Sequence, residues 1–288
     1  MEIKTIGVLG AGTMGSQIAQ VGAQAGFNIV VRDVEERIVE RCMKTIDSFL
    51  SKSVEKGKMP EEEKNAVIAR IKPATRMGAV KDVDFIIEAI IEDIDEKKRM
   101  FAELDELTRQ DVILASNTSS LSLTELATSV KRQDKVVGMH FFNPAQLMRL
   151  VEVVRGLNTC DETVAITMEL VRRFKKEPIE VRIDSPGFVV NRMMIASNIE
   201  AIRLYEQGIA SKEDIDKATK LGLNYPMGPF ELMDYTGLDI NYFVMDGFHH
   251  NLQKELKWDP PLSIKNLVKA GMLGKKTGRG WYDYKEKK

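Results

Sequence analysis

Apolar residues in the first 180 or so positions fall into short runs separated by stretches of helical spacing. The runs predict strands at 3–9, 28–32, 85–89, 112–115, 136–140, 150–154 and 179–181. Between the first two runs, residues 14–25 form an amphipathic pattern closed by Gly26. Between the second and third lies a helical pair at 36–56 and 61–70, broken at 57–60. This alternation predicts an α/β architecture, a doubly wound and mainly parallel sheet. The insertion at 36–70 is longer than a crossover needs, and it is where substrate contacts are expected.

The strand pattern stops at Ser185-Pro186-Gly187, which predicts domains at 1–184 and 185–288, the second all-helical. Residues 188–207 read as one helix, with Phe188, Met193, Ile195, Ile199 and Ile202 at helical spacing. Ser211 to Asp214 forms a capping box that opens another helix. Further helices are expected at 230–235, 240–256 and 263–270, ahead of a tail rich in glycine and aromatics at 275–282. The helix from Phe188 is more apolar than a one-sided surface helix should be. It either packs a homodimer through this domain or lies buried within its own domain.

The first strand runs directly into Gly10-Ala11-Gly12-Thr13-Met14-Gly15, and Asp33 closes the second. Strand, G-x-G-x-x-G, helix and a later acid together form the fingerprint of a Rossmann-type dinucleotide site. Gly10 allows the tight turn, Gly12 the approach of a pyrophosphate, and Gly15 the packing of helix on strand. The carboxylate of Asp33 suits the two ribose hydroxyls of NAD and repels a 2′-phosphate. Arg32 beside it is the kind of residue that accommodates that phosphate, but the carboxylate favours NAD.

The chain has 288 residues and a formal net charge of −1, so no electrostatic case exists for nucleic acid or a membrane surface. No apolar run approaches a membrane span. The first strand begins within three residues, which predicts no signal or transit peptide and a cytoplasmic chain. Cys42 and Cys160 are the only cysteines and make no C-x-x-C; the three histidines lack metal-ligand spacing, so no metal is expected.

Ligands of an open parallel sheet bind beyond the carboxyl ends of its strands. Two polar clusters fall there: Ser116-Asn117-Thr118-Ser119-Ser120 and His140-Phe141-Phe142-Asn143-Pro144. Losing hydride from an alcohol requires a base for the hydroxyl proton, and imidazole suits that task, which selects His140. Glu152 sits amid Leu150, Val151, Val153 and Val154. An acid there is costly to bury unpaired, so it is expected to orient His140, provided the two strands are neighbours. Ser119 and Asn191 are candidate donors to the substrate oxygen. Ser48, Lys52 and Lys56 recur every four residues, a stripe able to hold phosphates of a large anionic substrate. Glu55 and Lys58 nearby are equally what a solvated charged face carries.

Nearly the whole chain resembles the L-3-hydroxyacyl-CoA dehydrogenases, most closely the bacterial short-chain type. The stretches that carry the likeness are GVLGAGTMGSQIA, IIEAIIED, LASNTSSLSLTELA, GMHFFNPAQLMRLVEVV, SPGFVVNR, ASKEDIDKATKLGLNYPMGPFELMDYTGLD and GKKTGRGWYDY. The resemblance implies reversible NAD-dependent oxidation of (S)-3-hydroxyacyl-CoA, such as 3-hydroxybutyryl-CoA, in fatty-acid or butanoate metabolism. It implies His140 as acid–base residue, Glu152 as its partner, and Ser119 and Asn191 at the substrate. It further implies cofactor contacts at Glu92, Lys97, Asn143 and Lys276, and coenzyme A contacts near Ser48, Lys52 and Lys56. Where the family often reads HFFNPAPVM, this chain has Gln146, expected at the wall near the acyl group. Two other readings stand beside this one. A dehydrogenase of a free hydroxy acid, such as a sugar acid, shares similar Ser-Asn-Thr-Ser and His-Phe-Phe-Asn-Pro stretches, but the lysine stripe favours the coenzyme A thioester. An NADH-sensing protein without turnover would not need His140 with Glu152.

Overall fold

The computed structural model describes residues 2–252 and 256–284. Residue 1, residues 285–288 and positions 253–255 of the helix expected over 240–256 lie outside them. The chain divides into two compact units, Met1–Phe188 and Val189–Lys288.

The first unit is built on β1 (Thr5–Leu9), α1 (Thr13–Gln24), β2 (Asn28–Arg32), α2 (Glu36–Glu55), α3 (Glu61–Ala69) and β3 (Ile71–Ala74). It continues with β4 (Phe85–Glu88), α4 (Ile94–Leu107), β5 (Ile113–Ser116), α5 (Leu123–Ala127), β6 (Val136–Phe141), β7 (Leu150–Arg155), α6 (Asp161–Arg173) and β8 (Glu177–Val181). The eight strands form one sheet in the order β3-β2-β1-β4-β5-β6-β7-β8. Every pairing is parallel except β6 with β7. The central strands read as apolar runs because helices cover both faces. Alternation sends Ile6, Val8, Ile29, Val31, Phe85 and Ile87 into one core cluster and Leu9, Val30, Ile86 and Leu114 into the other. Cys42 is buried on α2, and burial together with Asp33 pushes its thiol up to about 12.

Strand β3 has no counterpart in the apolar pattern. It lies at the sheet edge, and its Lys72 and Pro73 break any apolar run. An edge strand tolerates both, since one side of its ladder stays unpaired. Residues 179–181 are the last part of β8, which starts at Glu177 on the opposite edge.

The second unit holds α7 (Val190–Glu206), α8 (Lys212–Gly222), α9 (Pro229–Thr236), α10 (Leu238–Asn251) and α11 (Leu262–Lys269). Ile195, Ile199 and Ile202 of α7 meet Phe230, Met233, Phe248, Trp258, Ile264 and Trp281 in its core. The glycine-rich tail is tied down by Asp234, whose oxygens accept the N–H groups of Trp281 and Tyr282, each at 2.8 Å.

Two residues expected on the buried face of the helix at 188–207 lie elsewhere. Met193 is 70 % exposed. Phe188 precedes the helix, with φ at +48°, and packs in the first unit against Leu123, Val154 and Val181. Gly187 and Phe188 both adopt positive φ, which breaks a right-handed helix at that point.

Candidate functional site

Hydrogen bonding within the sheet forms the dinucleotide turn. The N–H of Gly10 donates to Arg32 O at 2.8 Å, and Gly10 takes φ of +97°. A Cβ on Gly10 would stand 2.3 Å from Ala89 O, and one on Gly15 only 1.8 Å from Gly10 O. A Cβ on Gly12, by contrast, would meet nothing within 4 Å, so the turn is open on that side. The amino end of α1 has no side-chain cap and no acid in its first turn. An exposed, uncapped helix end beside bare backbone is what a pyrophosphate needs. Asp33 is aimed from the end of β2: one oxygen accepts the Ala11 N–H and the other the Val34 N–H, both at 2.8 Å. Arg32 Nε donates to Thr75 O at 3.0 Å. These residues fit NAD.

His140 and Glu152 stand opposite each other on the antiparallel pair β6 and β7. His140 Nδ1 lies 2.8 Å from Glu152 Oε2. Glu152 is wholly buried and His140 nearly so. Directly opposed residues are near neighbours on one face, so the register alone creates the contact. The imidazole is flanked edge-on by Phe142 at 4.6 Å and Phe188 at 5.5 Å between ring centroids. This apolar packing fixes the ring and strengthens its interaction with the carboxylate. Chemically, Nδ1 held by a carboxylate leaves Nε2 as the atom able to exchange a proton.

Beside this pair lies a second polar group at the ends of β4 and β5. Lys97 of α4 is buried with its Nζ 2.5 Å from Glu88 Oε1 and 3.3 Å from Glu92 Oε2. Glu88 Oε1 also accepts the Ile90 N–H at 2.7 Å, and Oε2 accepts the Ser116 hydroxyl at 2.5 Å. Glu92 Oε1 accepts from Thr118 Oγ1 at 2.5 Å, Ser119 N–H at 3.1 Å and Ser120 Oγ at 3.0 Å. Burial pushes the Glu92 carboxyl upward, but the Lys97 charge and these three donors outweigh it and hold it below the ordinary carboxylate value.

The loop after His140 is held from α1. Gln17 Nε2 donates to Asn143 Oδ1 at 3.0 Å, and Gln17 Oε1 accepts the Ala145 N–H at 2.5 Å. Lys176 donates to the carbonyls of Ala145 and Met148 at 2.6 and 2.8 Å, and burial pushes its ammonium down. Asn117 Oδ1 accepts the Phe141 N–H at 2.9 Å and so braces β5 to β6. Gln146 Nε2 donates to Gln20 Oε1 of α1 at 3.1 Å.

Residues 5–184 match the NAD binding domain of 3-hydroxyacyl-CoA dehydrogenase, and residues 187–284 match its C-terminal domain. The chain belongs to the 3-hydroxyacyl-CoA dehydrogenase family. It is 44% identical over 279 residues to 3-hydroxybutyryl-CoA dehydrogenase of Clostridioides difficile, covering 97% of this chain and 99% of that one. It is 45% identical over 287 residues to a probable 3-hydroxybutyryl-CoA dehydrogenase of Bacillus subtilis, covering 100% and 99%. The crystal structure of (S)-3-hydroxybutyryl-CoA dehydrogenase from Ralstonia eutropha superposes with a TM-score of 0.96 at 42% identity, over 99% of this chain and 100% of that one. Like its family, this chain is an NAD-dependent oxidoreductase with a Rossmann domain and a helical C-terminal domain.

In this family member the structure brings together Gly10, Gly12, Thr13, Met14, Gly15 and Asp33 around the turn, and His140 with Glu152 on the adjacent strands β6 and β7. Glu92, Lys97 and the Ser119 backbone form one network. Ser48 and Lys52 on α2, and Lys56 just past its end, are all exposed. Asn191 lies in the first turn of α7, in the second unit, and there Lys276 pairs with Asp239 at 2.6 Å. Reading motifs alone missed Glu88, Gln17 and Lys176. Glu88 carries one usable signal: it is an acid that closes an otherwise apolar strand at its carboxyl end. Gln17 and Lys176 carry none, because each looks like an ordinary surface residue of its element. Among the described residues, no helix is long and apolar enough to cross a membrane.

Proposed function

We propose that this protein catalyses reversible oxidation of short-chain (S)-3-hydroxyacyl-CoA, of the 3-hydroxybutyryl-CoA class, to 3-oxoacyl-CoA. The observation that carries the reading is the buried His140–Glu152 pair at 2.8 Å, on the carboxyl edge of a sheet that also bears the dinucleotide turn. The names of the relatives support the substrate class, and the exposed Ser48, Lys52 and Lys56 stripe supports a coenzyme A handle.

Gly10 to Gly15 bind the pyrophosphate and Asp33 the adenosine ribose; Glu92, Lys97, Asn117, Asn143 and Lys276 serve the rest of the cofactor. NAD, when bound, supplies the acceptor for hydride from the carbinol carbon. His140 Nε2 takes the hydroxyl proton in oxidation and returns it to the carbonyl oxygen in reduction. Glu152 orients the ring through Nδ1 and stabilises the imidazolium that forms. Ser119 and Asn191 donate to the substrate oxygen as negative charge develops on it. The aromatic rings of Phe142 and Phe188 keep water from the imidazole.

The test is His140→Ala, assayed with acetoacetyl-CoA and NADH. Turnover is expected to fall by about 10²–10⁴, the scale of general acid–base catalysis, with NADH affinity little changed. Near-normal turnover overturns the assignment. A panel of longer 3-oxoacyl-CoA esters, with NADPH run beside NADH, reads the chain length and cofactor preference. We also place the protein in the cytoplasm as a homodimer through its helical unit. Exposed Met193, Ile240, Phe243 and Leu262 support the dimer, and a monomer mass in sedimentation at micromolar concentration overturns it.

A further inference from the structure

The group at the ends of β4 and β5, buried at Glu88 and Lys97 and half-exposed at Glu92, carries more charge than a simple ion pair. Two carboxylates, Glu88 and Glu92, share one ammonium, Lys97, which leaves one surplus negative charge. Neighbouring charges are committed elsewhere: Asp93 caps the amino end of α4 through the N–H groups of Asp95 and Glu96, and Lys98 reaches Glu125 at 2.6 Å. Glu88 stands in register with Leu9 on one side and Ser116 on the other, level with the residue that precedes the dinucleotide turn. Asp33 marks the adenosine half at β2, and the turn after β1 marks the pyrophosphate. In the strand order β2-β1-β4-β5-β6, the function proposed above puts the nicotinamide half over the ends of β4 to β6, on the side of the turn where this charge sits.

The oxidised nicotinamide ring carries a positive charge that the reduced ring lacks. We propose that Glu88 is a positioning residue: it holds Lys97 and, by leaving the group one negative charge in surplus, makes the site bind NAD+ better relative to NADH than a neutral group would. The inference rests on the reading that Glu92 and Lys97 face the nicotinamide half of the cofactor. A purely structural salt bridge would affect both nucleotides alike, because both share every other contact.

The experiment is direct binding of NAD+ and of NADH, by calorimetry and NADH fluorescence, with no thioester present. An absence of hydroxyacyl-CoA activity would therefore leave this measurement readable. Glu88→Gln makes the group neutral, and the ratio Kd(NAD+)/Kd(NADH) is expected to rise roughly three- to tenfold, the scale of one unit charge in a partly screened crevice. In Glu88→Gln/Lys97→Met the surplus negative charge returns on Glu92, and the ratio should fall back to within about twofold of wild type even where both affinities drop. Glu92→Gln, on a half-exposed side chain, also neutralises the group and should raise the ratio, which keeps the test alive if Glu88→Gln fails to fold. Equal weakening of both nucleotides in the single variants, or a double variant that keeps the raised ratio, overturns the proposal.

Discussion

Replacing Glu152 by Gln tests the acid–base pair while preserving its shape. The amide oxygen still accepts from Nδ1, so ring orientation survives and only the counter-charge is lost. The contact spans 2.8 Å between two buried side chains. A unit pair at about 4 Å is worth about 4 kcal/mol at an effective dielectric near 20. With the proton about half transferred in the transition state, about half of that, ~2 kcal/mol, is lost. Since 1.36 kcal/mol is tenfold in rate, oxidation of 3-hydroxybutyryl-CoA should slow by roughly 30-fold in kcat. Affinity for NADH should not change, because the pair does not touch the dinucleotide turn. Steady-state assays at fixed pH, with parallel fluorescence titration by NADH, read both quantities. A kcat within threefold of wild type would refute the charge argument and leave Glu152 as packing alone.

Gly15→Ala drives a Cβ to 1.8 Å from the Gly10 carbonyl, so β1 and α1 must part. The expected loss is about 1–3 kcal/mol, seen as a lowered Tm together with weaker NADH binding. Asp33→Ser removes the carboxylate beside Arg32, and the NADPH/NADH preference in kcat/KM should shift toward NADPH by tenfold or more. Lys52→Glu/Lys56→Glu should raise KM for acetoacetyl-CoA several-fold and leave a truncated pantetheine-type thioester unaffected; an equal change for both removes the stripe from the substrate site. Glu92 has its carboxyl held below the ordinary value, so its stabilising contribution is complete above that ordinary value and is lost as pH falls through the lowered one. Glu92→Gln should therefore flatten the acid side of the stability curve as pH falls below the ordinary carboxylate value, measured by urea midpoints.

The local order of the chain was written in its own residues. A parallel strand buried on both faces must be apolar, so β1, β2, β4, β5, β6 and β7 show as runs. The helix that opens inside G-x-G-x-x-G has Gly12 as its N-cap, so it starts without a side-chain cap. The acids and hydroxyls at strand ends were visible because polar groups there interrupt apolar context. Even the His140–Glu152 contact was legible, conditional on two strands being neighbours, since an acid among four aliphatic residues has to find a partner.

What tertiary structure alone decided is which distant elements meet. The antiparallel register of β6 and β7 sets Glu152 opposite His140; a shift by one residue would turn one of them to the other face. Packing of α4 on the sheet brings Lys97 between Glu88 and Glu92, whereas in the linear order Glu88 merely ends a strand. Strand β3 exists because the sheet edge accepts Lys72 and Pro73, a permission granted by position and not by composition. Phe188 looked like the first rung of a helix, yet two successive residues of positive φ send its ring onto the His140 imidazole within the first unit. Periodicity reports the environment of each residue within its own element. It carries no information on the partners that chain reversal, register and backbone handedness bring to that residue from elsewhere, and those partners make the site.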